Sequence, residues 1–380
     1  MKKLSTLASA LLFMLILNNF DVFSQSHPDI KPLAIGVKAP FFNLPGVDGN
    51  YHTLNDYDNA SILVVIFTCN HCPTAQAYED KIIRLTSDYK DKDVAVVAIN
   101  PNDDAALSLA ECGYSDLDDS YAAMKTRAKD KHFNFAYLYD GKNEEVSMNY
   151  GPQATPHAFV FDKERKLRYR GRIDDTENPY DKPKTQDLRN ALDEMLAGKE
   201  VTAPTTKTFG CSIKWAWKNE WTEKLKEQWA QEPVTLQEAD IEGIKDIVAN
   251  TGDKLRMVNV WATWCGPCVI EFPELVNTYL MYRGRDFEFV AISADKPDRK
   301  ENVQGFLEEH HASNPNYIFS TGDNYAMIDA IDKQWQGSLP YTLIIKPGGE
   351  VIYKHAGAID PLEVRKIIID YLGRYYADDN

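Results

Sequence analysis

The sequence predicts an α/β protein made of two tandem copies of one unit, each a central mixed sheet flanked by helices, joined by a helical connector rich in tryptophan. Three features carry the prediction. An apolar run of strand length leads into Cys-x-x-Cys and then a helical pattern twice, at Cys69 to Cys72 and at Cys265 to Cys268. A second apolar run follows each helix, Val94 to Asn100 in the first copy and Phe287 to Ser293 in the second. Each copy then closes on a strand opened by proline, a turn, and a strand ending in Gly-x-Ile-Asp, from Pro156 to Asp174 and from Pro340 to Asp360. Strands alternating with helices at this spacing imply β-α-β units, with an antiparallel hairpin closing the sheet.

The first copy occupies residues 33–198. It opens with Gly36 to Leu44 and a turn at Val47-Asp48-Gly49-Asn50, which suits a short hairpin. Ile62-Leu63-Val64-Val65-Ile66-Phe67 is a continuous apolar run bounded by polar residues, the pattern of a central strand buried on both faces. It delivers Cys69-Asn70-His71-Cys72-Pro73, after which Ala77, Ile82, Ile83 and Leu85 recur at helical spacing.

Residues 199–234 form the connector. Thr202 to Thr206 is loop-like, and Trp217, Trp221, Leu225 and Trp229 recur every fourth position, giving an amphipathic helix with one aromatic stripe. The stripe reads as a docking face against one of the copies, with a groove for a partner protein as the alternative. The second copy, 235–377, has Met257 to Trp261 as a short apolar strand, then Trp264-Cys265-Gly266-Pro267-Cys268, then Val269, Phe272, Leu275 and Val276 at helical spacing.

This layout sets Cys265 at a helix N-terminus, where unpaired backbone N–H groups and the positive end of the helix dipole favour a thiolate. A thiolate is the attacking species in disulfide exchange, and Cys268, one turn later, can resolve the mixed disulfide that forms. Zinc would need two further ligands, and no closely placed Cys or His pair follows; covalent haem attachment would need His where Val269 stands. No metal is expected, and no cofactor beyond the redox-active pairs Cys265–Cys268 and Cys69–Cys72. Glu271 shares the helix face of Cys268. Two readings of it stand: a partly buried carboxylate that shuttles the resolving proton, or a solvated first-turn residue that favours the dipole. In the first copy His71 places a donor or positive charge beside the Cys69 sulfur, stabilising a thiolate there and pushing that couple toward the oxidising end.

Trp261-Ala262-Thr263-Trp264-Cys265-Gly266-Pro267-Cys268 resembles the active site of the thioredoxin superfamily, and Asn259 to Glu274 resembles its TlpA/ResA-type reductases. Cys69-Asn70-His71-Cys72-Pro73 is similar to the Cys-Asn-His-Cys-Pro redoxins, a branch of the peroxiredoxin and thioredoxin-like proteins. The resemblance implies two tandem thioredoxin-like domains. It also implies that Pro156 and Pro340 are cis, with Thr155 and Leu339 offering backbone hydrogen bonds to a substrate chain; ordinary trans-prolines at strand edges are the plainer reading. Trp264 joins these residues as a substrate contact, while Gly266, Pro267 and His71 tune the thiols. TlpA/ResA-type reductases share a Glu at position 271 and an Asn at position 259, which favours a functional Glu271. The first copy lacks the peroxiredoxin P-x-x-x-T-x-x-C pattern, since Ile66 lies three before Cys69; a peroxidase centred on Cys69 is a rival reading. Another rival is a redox-inactive module that binds peptides or metals. Gly210-Cys211-Ser212-Ile213-Lys214-Trp215 looks like a tail segment that accompanies these redoxins, making Cys211 a candidate third thiol for the first site. A structural Cys112–Cys211 disulfide is the alternative, and Cys112 alone reads as a small packed hydrophobe.

A formal charge of −15 argues against nucleic acid and anionic membrane surfaces as partners. Lys2 and Lys3 precede the apolar Leu11 to Leu17, which Asn18-Asn19 breaks before it reaches the ~20 residues of a membrane span. Residues 1–24 therefore read as a cleaved signal peptide, with a retained anchor as the alternative, and the mature chain is expected to be periplasmic or secreted without a membrane span. The expectation is an exported protein dithiol–disulfide oxidoreductase. Its partners would be disulfide-containing proteins and an electron donor. The Gly-Pro dipeptide predicts that the second pair is the more reducing, and an internal relay would pair Cys265 with Cys69 or Cys72.

Overall fold

The computed structural model describes residues 27–176 and 178–376. The expected signal segment 1–24 and the last residue assigned to the second copy, Ala377, lie outside the described residues. No helix among the described residues is long and apolar enough to cross a membrane.

The opening hairpin pairs β1 (Asn43–Pro45) with β2 (Tyr51–Thr53), and Asp48 closes its turn by accepting from the Asn50 N–H at 3.1 Å. There follow β3 (Ile62–Phe67), α1 (Pro73–Tyr89), β4 (Val94–Asn100), α2 (Tyr121–Asp130), β5 (Ala136–Tyr139), α3 (Glu145–Tyr150), β6 (His157–Phe161), β7 (Leu167–Gly171) and α4 (Asp187–Leu196). The strands order as β5-β4-β3-β6-β7, the first three parallel and the last two antiparallel. Alternation along β3 explains its unbroken apolar run. Ile62, Val64 and Ile66 pack with Tyr78, Ile82 and Leu85 of α1, while Leu63, Val65 and Phe67 pack with Tyr150, Phe159 and Phe161 on the opposite face. Each such side chain contributes about 1.5–3 kcal/mol by leaving water.

The connector helix α5 (Asn219–Ala230) begins two residues after Trp217, so the predicted four-residue stripe is broken. Trp229 is buried under the Arg283 guanidinium and Trp217 stacks on Trp215, but Trp221 is 64% exposed. The stripe docks in part: Trp229 is buried and Trp217 and Leu225 are half-buried, Trp221 faces solvent, and a short 3₁₀ turn at Ala216–Lys218 sets Trp217 before the helix.

The second unit runs β8 (Leu236–Ala239), α6 (Ile241–Ala249), β9 (Leu255–Trp261), α7 (Gly266–Tyr282), β10 (Phe287–Ser293), α8 (Lys300–Glu309), β11 (Asn316–Phe319), α9 (Asn324–Ile331), β12 (Tyr341–Ile345), β13 (Val351–Ala356) and α10 (Pro361–Leu372). Its order is β13-β12-β9-β10-β11-β8. On β9, Leu255, Met257 and Trp261 pack with Phe272 and Leu275 of α7, whereas Val258 and Val260 face Ile244 and Met327. Period two therefore puts Asn259 under α7 as well.

The units interlock. Leu107 and Cys112 of the first are buried in the same apolar cluster as Phe272 and Met281 of the second, and the Tyr282 hydroxyl donates to the Ser115 carbonyl at 2.6 Å. Past α10, Arg374 donates to Gln76 Oε1 at 2.6 Å and to Asp116 Oδ1 at 2.8 Å. Cys112 and Cys211 are both free thiols, so the alternative of a disulfide between them is not the arrangement observed; Cys112 is spent in the second unit's core.

Candidate active site

In the second centre Cys265 is the N-cap of α7: its sulfur accepts the Cys268 N–H at 3.3 Å and is bonded to the Cys268 sulfur. Pro267 in the first turn tolerates its missing N–H there. The approach loop is tied down by Asp295, which accepts from Thr263 N at 2.8 Å and from Thr263 Oγ1 at 2.7 Å. Trp264, 66% exposed, stands beside the pair with Gly266 and Pro267 open to solvent. Tyr341 of β12 pairs with Val260 of β9, so the cis Leu339–Pro340 bond lies level with Trp261, at the end of the strand that leads to Cys265.

Glu271 is buried beneath the same helix. One carboxylate oxygen accepts from Asn259 Nδ2 at 3.1 Å and the other from the Ile359 N–H at 3.0 Å. Burial pushes its carboxyl above the usual range, against the lowering effect of those two hydrogen bonds. The solvated first-turn reading is excluded by this burial. Asn259 also donates to Thr342 Oγ1 at 3.0 Å, while its own oxygen has no partner.

The first centre is built differently. Here Cys72, not Cys69, caps the helix: α1 starts at Pro73, and the Cys72 sulfur accepts the Ala75 N–H at 3.4 Å. The position of the proline decides this. Both helices carry it in their first turn, but it precedes Cys268 in one copy and follows Cys72 in the other. Burial raises the Cys69 thiol well above the usual range, and its hydrogen bond to Cys72 and the Asp119 charge add to that. For Cys72 burial also pushes upward, but hydrogen bonds from Cys211 and Cys69, the His71 charge and the Ala75 N–H outweigh it and hold the thiol well below its ordinary value. A nitrogen of His71 does lie within 4.8 Å of the Cys69 sulfur, as expected, but the sulfur that caps the helix and takes its N–H is that of Cys72.

His71 is positioned by a carboxylate that no spacing announces. Asp119, fully buried, accepts from Asn70 N at 2.8 Å, His71 N at 3.0 Å, His71 Nδ1 at 2.5 Å and Asn102 Nδ2 at 2.6 Å. These four donors occupy all the lone-pair positions a carboxylate offers. A sulfur of Cys69, a nitrogen of His71 and an oxygen of Asp119 do lie within 4.8 Å of one another, but with Asp119 saturated the set works as a hydrogen-bond network. Burial alone would lower the His71 pKa; the Asp119 charge and hydrogen bond reverse that and raise it. Gln76 Nε2 holds the loop from the other side, donating to the Asn70 carbonyl at 2.7 Å.

The first copy's proline loop touches both sulfurs. The Thr155–Pro156 bond is cis, Thr155 Oγ1 is 3.2 Å from Cys69 Sγ, and the Cys72 thiol lies 3.3 Å from the Thr155 carbonyl oxygen.

A family model for redoxins matches residues 34–192 and again 235–367. The chain belongs to the Redoxin family. Among similar proteins, this redoxin is 33% identical over 131 residues to the thiol-disulfide oxidoreductase ResA of Oceanobacillus iheyensis, covering 34% of this chain and 59% of that protein. It is 28% identical over 133 residues to ResA of Bacillus subtilis, covering 35% of this chain and 68% of that protein. The chain thus spans about three fifths of the first of these relatives. A solved structure of an uncharacterized conserved protein from Geobacillus kaustophilus is 38% identical, covering 48% of this chain and 92% of that one, with a TM-score of 0.43. The tandem thioredoxin-like organisation of the redoxin accords with the two matched regions.

The structure gathers Cys69, Cys72, His71, Thr155, Pro156 and Cys211 into one cluster, and Cys265 and Cys268 into another with Trp264 beside them. It leaves neither Cys69 nor Cys72 open to Cys265, since their exposures are 2% and 0%. Sequence reading missed Asp119, Asn102, Gln76 and Arg374. Asp119 sits just before the Ser120 cap of α2, the signature of a helix start rather than of a site.

Proposed function

We propose that this redoxin is an exported thiol–disulfide oxidoreductase acting on protein disulfides through two dithiol centres, the second the more reducing. In that centre Cys265 attacks the substrate disulfide, releasing one substrate thiol and leaving a mixed disulfide; Cys268 attacks the Cys265 sulfur, releases the second thiol and closes the Cys265–Cys268 bond. Glu271, on the face of Cys268, is the group that takes the resolving proton. An electron donor then restores the dithiol.

The observation that carries this reading is the sulfur of Cys265 capping α7, bonded to Cys268 and flanked by an exposed indole. Reduction of insulin disulfides by the full chain tests it. Cys265→Ala is expected to lower the rate by at least ~100-fold; activity retained in that variant overturns the proposal. The order of potentials is read by titrating full-length chains that keep one centre each. A Cys69–Cys72 couple more reducing than Cys265–Cys268 would reverse it.

A further inference from the structure

The stretch between α4 and α5 does something that neither dithiol centre explains. Gly210 and Cys211 lie alongside the Thr155–Pro156 loop: Thr155 pairs antiparallel with Cys211, and the Thr155 N–H donates to the Cys211 carbonyl at 3.0 Å. The edge that offers backbone hydrogen bonds to a substrate chain in such folds is here taken by the protein's own backbone. Only glycine permits the approach, because Gly210 has φ +132° and a Cβ there would lie 2.0 Å from the Thr155 carbonyl oxygen. The Cys211 side chain joins Cys69, Cys72 and Ala75 in one apolar cluster. Of these three sulfurs only that of Cys211 belongs to a partly exposed residue. It also lines a pocket of about 350 Å³ with Pro73, Thr74, Phe209, Tyr375 and Tyr376.

We propose that Cys211 is the entry thiol of the first centre: it meets the disulfide of an incoming reactant at the surface and passes the oxidation inward to Cys72, so that a Cys72–Cys211 disulfide precedes the Cys69–Cys72 disulfide. This rests on the reading of the chain as a disulfide-exchange protein. In the first step the Cys211 sulfur attacks the incoming R–S–S–R, its proton passing along its hydrogen bond to the Cys72 thiolate. A Cys211–S–R bond forms, and the first R–S⁻ takes that proton and leaves as a thiol. In the second step the Cys72 thiolate attacks the Cys211 sulfur, forming Cys72–Cys211 and expelling the second R–S⁻. In the third, Cys69 attacks the Cys72 sulfur, its proton going to that second R–S⁻, and Cys211 leaves as a thiolate that reprotonates from water. Two thiols are oxidised to one disulfide, and the incoming disulfide is reduced to two thiols.

The test mixes the reduced full-length chain with glutathione disulfide, quenches by alkylation and maps the bonds by mass spectrometry. In the unaltered chain the first adduct within the first centre is expected on Cys211, whatever the rate at Cys265; a first adduct there on Cys69 or Cys72 overturns the proposal. Cys69→Ser is expected to accumulate the Cys72–Cys211 disulfide, whereas glutathione on Cys72 with Cys211 free overturns it. Cys211→Ser should slow formation of the Cys69–Cys72 disulfide by at least ~10-fold while Cys265–Cys268 forms at its usual rate. An unchanged Cys69–Cys72 rate refutes the entry role and leaves the two-centre reading standing. An unaltered chain that never forms Cys69–Cys72 refutes both.

Discussion

Replacing Asp119 by Asn removes one negative charge from a fully buried site and leaves its shape, so it isolates the ion pair with His71. The pair lies in the interior with both side chains almost completely covered. Removing one partner of such a pair costs about 3–5 kcal/mol, and because Asn keeps an acceptor for the Asn70 and His71 backbone donors, the low end, ~3 kcal/mol, is expected. For a domain of this size that is a fall of about 6–12 °C in Tm. The pH dependence carries the sign. His71 is raised in the fold, so its contribution is complete below about pH 6.5 and is lost as pH rises through the folded value; Asp119 is depressed, so its contribution is present above about pH 3.9 and is lost as pH falls. The pair is strongest between those limits. Chemical denaturation of the wild type and Asp119→Asn across pH, repeated in a His71→Gln background, measures it. A loss below about 1 kcal/mol near pH 6, or a variant that keeps both limbs of the pH curve, would refute the assignment. Absorbance of the thiolate should rise at higher pH in Asp119→Asn than in wild type, because the charge beside Cys72 goes with the pair.

Three further outcomes are expected. Glu271→Gln should slow the resolving step at the second centre by about 100-fold and flatten the limb of the rate–pH profile that follows ionisation of this raised carboxyl; an unaltered profile removes its proton role. Trp264→Ala should raise the KM for an unfolded disulfide-containing protein at constant kcat, while stability stays within ~0.5 kcal/mol, and an effect on kcat alone would place the indole elsewhere in the reaction. Cys112→Ser should cost about 1–3 kcal/mol by burying an unmatched hydroxyl, with the mapped exchange rates at both centres unmoved.

The central strands were readable because β3 and β9 are buried on both sides, β3 as an unbroken apolar run and β9 as a shorter one leading into the Trp264–Cys268 stretch, and the duplication was readable because the same order of elements recurs. The edge strand β8 and its neighbour β11 were not. Each has four residues, and β8, Leu-Gln-Glu-Ala, is mostly exposed, so it is placed by backbone pairing with β11 rather than by its side chains. The repeated Gly-x-Ile-Asp looked like one feature and serves two ends. Asp174 accepts the Tyr78 hydroxyl and the Lys81 ammonium, whereas Asp360 caps α10 through the Leu362 N–H at 2.9 Å. The capping swap from Cys69 to Cys72 was visible in principle, as Pro73 after the second cysteine marks where a helix can begin. Asp119 was not visible, since its bond to His71 spans 48 residues and depends on how the β4–α2 segment folds back.

The contacts of Arg374 and the nearby Tyr376 hydroxyl with Gln76 and Thr74 bear on how this molecule can be handled. The chain's tail buttresses the turn between Cys69 and Cys72 through Gln76, so a cut in the connector would strip that brace and yield an amputated half rather than a module. Midpoint potentials of the amino-terminal sulfur pair are therefore meaningful only when read in uncut protein.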